Sequence, residues 1–398
     1  MFNSNIYIKL FTIFIFMFDK LPISSKTEKI LTKSLDEAIS VEEANHLMKI
    51  RGSDLYPLIA TADYLRSEIV GNDVTFINNC NINFTNICTV RCGFCAFGKD
   101  ADDPEAYILN DEEILAKAQG AVEKGAHEFC VMGGVLPDAD IEYYEHLLLL
   151  LKGEYPDVLI HGFSPTMIRD AAILSGMDMA EACERLKSAG LDTLPGTAAE
   201  ILTDRSRKII CPEKVSVQEW VDTVRTAHEV GIPGSATIMY GHVETLEERV
   251  EHIDVIRQLQ EDTHGFTEFI PMSFMDEYSP MFLEGQTNLG ASGTEDLKLY
   301  AVSRLMLRDL IPNIQVSWVK MGFRFAQVVL TAGANDLGGT LGGDELSEAS
   351  GAPDGVDASI ETLDSMVKNL GRNPIERNSK YTEFYPIEYP TKFKMPSK

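Results

Sequence analysis

The chain is short of cysteine, short of positive charge and short of long apolar runs. Seven cysteines in 398 residues are sparse and odd in number, which argues against a disulfide framework. Such usage fits a reducing compartment. None follows Cys211, so a second iron–sulfur centre in the C-terminal part is not expected. Lysine and arginine number 35 against 61 acidic residues, a net charge of −26. No basic patch of the size that nucleic-acid binding requires is present. The acid excess instead keeps the surface solvated and self-repelling, as in proteins from a salty cytoplasm. The most apolar stretch, residues 6–18, is broken by Lys9 and Thr12. It falls short of the ~20 residues that span a bilayer, and it lacks the basic start and small-residue cleavage site of an export signal. Residues 1–24 are therefore expected to be an apolar extension outside the fold. No stable membrane insertion is expected, and the location is expected to be cytoplasmic.

Hydrophobic residues make up 44% of the chain, enough for a large core. From about Ser25 to Asn72 their spacing is helical, with Leu35, Ala38, Ile39, Ala44, Leu47 and Met48 followed by Leu55, Leu58, Ile59 and Leu65. This predicts a helical cap over residues 25–73. Beyond it, extended runs at 74–77, 81–85, 127–132, 158–163, 191–194, 235–240, 267–272 and 314–319 alternate with helical patterns. Gly190 and Gly231 close two of the helices. Such alternation implies a parallel sheet with helical crossovers. Eight or so units in about 260 residues suit an α/β fold of the TIM type, a (β/α) barrel over residues 74–345. Residues 346–398 are expected to form a C-terminal extension with a short irregular tail, since Pro374, Pro386 and Pro390 punctuate it.

The chemistry concentrates at Cys88, Cys92 and Cys95, spaced C-x3-C-x2-C with Phe94 before the last cysteine. Soft thiolates on one tight loop suit iron–sulfur ligation. Structural zinc takes four protein ligands, and Cys80 could be recruited as the fourth, but zinc ribbons generally use two separated C-x2-C pairs. An electron-transfer ferredoxin needs a fourth cysteine. Three thiolates leave one iron of a cubane open to a small molecule that offers amino and carboxylate groups. Cys130, Cys183 and Cys211 read as small buried apolar residues.

In a barrel of this type the active site lies at the C-terminal ends of the strands. Gly133 and Gly134 fall there, as do His161, Ser164, Glu200, Tyr240, Gly241, His242 and Glu244, with Glu268 inside the sixth strand. Each has a plainer alternative. Gly-Gly is a common turn, and bare backbone also lets a ligand approach. His161 and His242 suit either a hydrogen-bonded structural role or a contact with substrate. Asn335-Asp336 fits a turn. Glu200 can hold two ribose hydroxyls, and Glu268 among apolar neighbours needs a partner or must stay neutral.

The cysteine loop resembles that of the radical S-adenosylmethionine (SAM) enzymes. Asn81-Ile-Asn-Phe-Thr-Asn-Ile-Cys and Cys92-Gly-Phe-Cys-Ala-Phe resemble the group that makes deazaflavin and menaquinone precursors. Leu194-Pro-Gly-Thr-Ala-Ala-Glu-Ile-Leu, Ala227-His-Glu-Val-Gly-Ile-Pro and Ala236-Thr-Ile-Met-Tyr-Gly-His-Val-Glu are similar to FO synthase subunit 2. Gly265-Phe-Thr-Glu-Phe-Ile-Pro and Gly333-Ala-Asn-Asp-Leu-Gly-Gly-Thr agree, and residues 371–381 agree more loosely.

The resemblance implies a [4Fe–4S] cluster on Cys88, Cys92 and Cys95, with SAM at the open iron. An external one-electron reductant would feed it. The implied reaction cleaves the Cα–Cβ bond of L-tyrosine through a 5′-deoxyadenosyl radical. It joins the 4-hydroxybenzyl group to C5 of 5-amino-6-(D-ribitylamino)uracil, and FO synthase subunit 1 then closes the deazaflavin ring. The implied roles place Gly133, Gly134, Ser164 and Glu200 on SAM, with Glu200 at its ribose. Tyr240, His242, Glu244 and Glu268 would contact tyrosine or the uracil. The rival functions are aminofutalosine synthase or dehypoxanthine futalosine cyclase of menaquinone synthesis, FO synthase subunit 1 itself, and a non-catalytic iron–sulfur scaffold.

Overall fold

A computed structural model describes residues 23–387. The apolar run at residues 6–18 lies outside them. Strands β1 (Asp73–Ile77) and β2 (Asn79–Asn83) are almost continuous, and β3 (Glu128–Met132), β4 (Leu159–Gly162), β5 (Gly234–Tyr240), β6 (Phe266–Ser273) and β7 (Asp336–Gly339) follow. Strands β2, β3 and β4 pair in parallel, with Asn81 opposite Cys130 and Cys130 opposite His161. Bridges from His161 to Thr193 and from Leu194 to Gly234 lead on to β5, which pairs with β6. Bridges from Phe269 to Ile314 and from Gln315 to Asp336 reach β7, and Cys80 to Gly342 closes the ring on β2. Closure leaves the ring no free edge.

The expected strands at 191–194 and 314–319 are thus reduced to short bridging segments, and Trp318–Met321 is helical. The helices between the strands start on side-chain caps, as in the capping boxes Ser216/Glu219 and Thr245/Glu248. Gly190, at φ +118°, ends Met179–Ala189 in the left-handed conformation. Helices form the outer layer, so β5 is buried at every residue. Among the described residues no helix is long and apolar enough to cross a membrane.

The N-terminal helices Ser25–Ser34, Val41–Lys49 and Leu55–Val70 form as expected. The latter two pack on the outer helices Leu246–Thr263 and Gly293–Leu307 and thicken the wall of the barrel. The expected boundary after residue 24 shifts slightly. Ser24 caps the first helix, and its backbone N–H donates to Asp54 Oδ1 at 2.8 Å, so it belongs to the fold.

The C-terminal segment departs further from expectation. Helix Glu345–Ala349 runs across the boundary expected at 345/346, and Ile360–Lys368 is a further helix. Strand β8 (Asn373–Arg377) then pairs in parallel with β1, Thr75 opposite Ile375, and Phe384–Tyr385 adds a short antiparallel strand to β8. Pro374 sits near the strand start, where a missing N–H is tolerated. Only part of the tail is irregular, and the rest is barrel wall. Arg377 anchors it: Nε donates to Asp336 Oδ2 at 2.7 Å and Nη2 to Glu268 Oε2 at 3.0 Å, with all three side chains buried. Asn335-Asp336 is therefore no simple turn. Asp336 opens β7 as the partner of Arg377, and Asn335 Oδ1 accepts from Arg304 Nη2 at 2.8 Å. Arg377→Ala leaves Asp336 buried without a cation. It should lower the unfolding free energy by about 3–5 kcal/mol, read as a fall in the urea midpoint.

Candidate active site

The cysteine loop leaves the C-terminal end of β2 and is tied down by backbone hydrogen bonds. Cys88 N–H donates to Lys99 O at 3.1 Å, Thr89 N–H to Val135 O at 2.9 Å and Gly93 N–H to Ile210 O at 2.8 Å. Gly134 N–H donates to Thr85 O at 2.9 Å. A Cβ on Gly134 would lie 2.0 Å from the Ile87 carbonyl oxygen, and one on Gly133 would lie 2.9 Å from Thr85 O. The two glycines are thus required first by the passage of the cysteine loop against β3. They also line the cavity, so a ligand can still meet their backbone.

That cavity, of about 430 Å³, is lined by Cys88, Cys92 and Cys95 together with Gly133, Gly134, Ser164, Glu200 and Lys214. The three thiols are unpaired and half-buried. Among the described residues no three His, Cys, Asp or Glu side chains converge as they would around one ion. A cubane instead takes each thiolate on a separate iron, and this donor set fits it. Burial pushes the Cys92 thiol up to about 12, with Lys214 pulling the other way. A thiolate there requires further positive charge, which iron supplies.

Glu200 faces the same cavity and is held at φ +45°. Burial alone would raise its carboxyl. Lys214, which bonds to it, then Arg207 and His242, hold it below its ordinary value, so it is an anion in place. Lys214 Nζ also lies 5.3 Å from the centroid of the Phe94 ring, so one lysine joins the ribose-binding candidate to the cysteine loop. Ser164 is the N-cap of helix Pro165–Ser175, its Oγ accepting from Met167 N–H at 3.2 Å while its edge lines the cavity.

A second chamber of about 210 Å³ continues inward, sharing Met132, Thr197, Met272, Lys320 and Leu346 with the first. Its lining includes Asn79, Glu128, Cys130, His161, Glu268 and Arg377. Cys130 is thus a half-buried wall residue, whereas Cys183 and Cys211 are buried as expected. His161 Nδ1 lies 2.8 Å from Thr193 Oγ1, and burial lowers its basicity. Burial, with the Asp336 carboxylate adding to it against Arg377, pushes Glu268 up to about 7.

Tyr240, His242 and Glu244 line neither chamber. Tyr240 is fully buried, and its hydroxyl donates to Asp296 Oδ1 at 2.7 Å on an outer helix. Glu244 accepts from the N–H groups of Gly241 at 2.6 Å and His242 at 2.9 Å and from Arg249 Nε at 2.7 Å. His242 Nε2 lies 3.1 Å from Met239 O, and Met239 N–H donates to Glu200 O at 2.7 Å. The expected substrate contacts at these three positions are thus replaced by a buried network that shapes the turn after β5 and supports the backbone of Glu200.

Two sequence profiles match the chain: the radical SAM superfamily over residues 82–256 and the CofH/MqnC C-terminal region over residues 263–390. In fold it is similar to methylornithine synthase, with a TM-score of 0.68 at 20% identity over 88% of this chain and 97% of that one. The 5-amino-6-(D-ribitylamino)uracil–L-tyrosine 4-hydroxyphenyl transferase of Methanopyrus kandleri is 43% identical over 87% of this chain and 96% of its own length. The protein of the same name from Methanothermobacter thermautotrophicus is 50% identical over 91% of this chain and 98% of its own length. The chain belongs to this 4-hydroxyphenyl transferase family.

Like other radical SAM enzymes, the transferase family uses a [4Fe–4S] cluster and SAM. In this member, sequence reasoning missed Lys214, Lys320, Glu128 and Arg377, all of which line the chambers. No local pattern marks them: Lys214 sits in a turn after Cys211-Pro, and Lys320 directly follows a stretch that reads as strand. Cys92→Ala should abolish cluster loading while soluble yield is kept. Iron content equal to wild type would refute its place as a ligand. Glu268 has an ordinary value of 4.5 when unfolded and ionises near 7 when folded. The folded state therefore holds the extra proton between those values, and the stabilisation is complete below the lower value and lost as pH rises through the upper. Glu268→Gln should flatten the stability profile between about pH 5 and pH 8, measured by urea midpoints.

Proposed function

We propose that this chain cleaves the Cα–Cβ bond of L-tyrosine and joins the 4-hydroxybenzyl group to C5 of 5-amino-6-(D-ribitylamino)uracil, the glycine-derived fragment leaving as 2-iminoacetate, a step in making the deazaflavin chromophore FO. The observation that carries this is the placement of Cys88, Cys92, Cys95 and the Glu200–Lys214 pair on one cavity that opens into a polar inner chamber, in a chain of this family. Bound together, the cluster and SAM would supply one-electron reduction and a carbon-centred radical.

The protein's part is to bind, orient and shield. Cys88, Cys92 and Cys95 would hold the cluster, and the backbone at Gly133 and Gly134 would border the SAM methionine. Glu200, fixed as an anion by Lys214, would accept from the ribose hydroxyls. The network of His242, Glu244 and Arg249 positions Glu200 through Met239. His161, Glu128 and Glu268 offer donors and acceptors to the uracil and its ribityl chain. Met239, Met272 and Phe274 line the outer cavity with apolar surface that excludes water from the reacting carbons. FO synthase subunit 1 receives the product, a one-electron reductant feeds the cluster, and the cytoplasm supplies the reducing conditions.

The test is anaerobic: the reconstituted protein is given dithionite, SAM, tyrosine and the ribitylaminouracil, and products are read by mass spectrometry. The hydroxybenzyl–uracil adduct with 5′-deoxyadenosine is expected. Deoxyadenosine without the adduct would redirect the substrate toward the futalosine enzymes. SAM binding without deoxyadenosine would favour a scaffold.

A further inference from the structure

Four cationic side chains line the two chambers: Arg91, Lys214, Lys320 and Arg377. Three are committed to carboxylates. Arg91 pairs with Asp100 and is largely exposed, Lys214 pairs with Glu200, and Arg377 pairs with Asp336 and Glu268. Lys320 makes no ion pair among the described residues. Its Nζ donates to a neutral group, Ser347 Oγ, at 2.8 Å. An ammonium has three donors, so two remain for a ligand.

Its location adds to this. Lys320 borders both chambers, on the short helix Trp318–Met321 that follows the bridge between Gln315 and Asp336. Of the ligands in the proposed reaction, the ribitylaminouracil carries no charge, and the SAM carboxylate has the open iron to bind. Tyrosine brings a second carboxylate into a site whose fixed side chains, Glu128, Glu200, Glu268 and Asp344, are already acidic. A carboxylate moved out of water into such surroundings requires a cation.

We infer that Lys320 Nζ binds the α-carboxylate of tyrosine at the junction of the two chambers. This rests on the transferase function proposed above. The carboxylate anchored there holds the tyrosine Cα at the boundary, with the outer chamber of the cysteines on one side and the polar chamber on the other. Lys320 is thus a substrate-positioning and specificity residue. It selects amino acids over amines with the same phenol, because tyramine lacks the group it pairs with.

The experiment is equilibrium dialysis of labelled L-tyrosine and of tyramine against cluster-reconstituted protein with SAM, under anaerobic conditions. Wild type, Lys320→Gln and Lys320→Arg are compared, and iron content is checked in each. Lys320→Gln should weaken tyrosine binding on the order of tenfold to a hundredfold, leave tyramine binding unchanged and keep its iron. Lys320→Arg should retain part of the tyrosine affinity. Tyrosine binding by Lys320→Gln equal to wild type overturns the assignment, as does an equal loss of tyrosine and tyramine. Adduct formation is followed in parallel wild-type samples that also receive dithionite and the ribitylaminouracil. If wild type makes the adduct while Lys320→Gln binds tyrosine normally, only the lysine assignment falls. If wild type neither binds tyrosine nor makes adduct, the transferase function falls and takes the assignment with it.

Discussion

A guanidinium buried between two carboxylates holds the inner end of this barrel together. Arg377 is the last residue of β8, yet its partners Asp336 and Glu268 belong to β7 and β6. The Tyr381 hydroxyl adds a bond to Asp336 at 3.0 Å, and the Arg377 guanidinium lies 3.9 Å from the centroid of the Tyr381 ring. Burying three ionisable groups is costly unless each is satisfied, and here each has its partner. The same segment sends Ser379 to Glu128 and Lys380 to Asp192 at 2.9 Å. The C-terminal segment thereby supplies the floor of the inner chamber. Its removal would cost the site as well as the wall.

The charge distribution follows a related logic. The chain as a whole is strongly acidic, but the cations lining the chambers, Lys320 apart, are set against specific acids. Lys214 makes Glu200 an anion beside the cysteine loop, whereas at Glu268 burial outweighs Arg377 and its carboxyl stays above the ordinary value. Within a barrel, where water screens poorly, such pairs fix charge at chosen atoms much more firmly than at the surface.

The cysteine loop was fully legible in the sequence because its signal is local: three thiols within eight positions decide the donor set. The strand-end residues were harder, and the reason is the two-residue period of a strand. Along β5, Ser235, Thr237 and Met239 line the chambers, so Tyr240 must point to the helices, where it meets Asp296. Along β6, Glu268, Ile270 and Met272 face inward by the same rule. Alternation would have separated Tyr240 from Glu268. Proximity to a strand end did not. Lys320 and Arg377 were beyond that rule, since each depends on where a distant segment returns to the ring. Pro374 and the polar composition around it concealed β8 for the same reason: its pairing partner, β1, lies some three hundred positions earlier.

Barrel interiors of this kind are ordinarily filled by layers of Val, Ile and Leu. Here the inward positions of β2, β3, β4 and β5 carry Asn79, Glu128, His161, Ser235 and Thr237. Polar side chains at alternate positions leave space, and each still requires a hydrogen-bond partner. Asn79 Nδ2 donates to Glu128 Oε1 at 2.9 Å, His161 reaches Thr193, and Thr237 Oγ1 donates to Gly196 O at 2.6 Å. The interior therefore gives up close apolar packing in exchange for a cavity with fixed donors and acceptors. The apolar core moves outward, between the strands and their helices, where Phe129, Phe163, Trp220 and Phe269 are fully buried. The N-terminal helices add a further layer to that outer core. A site for two polar substrates inside a barrel thus requires a wall thick enough to fold without the middle.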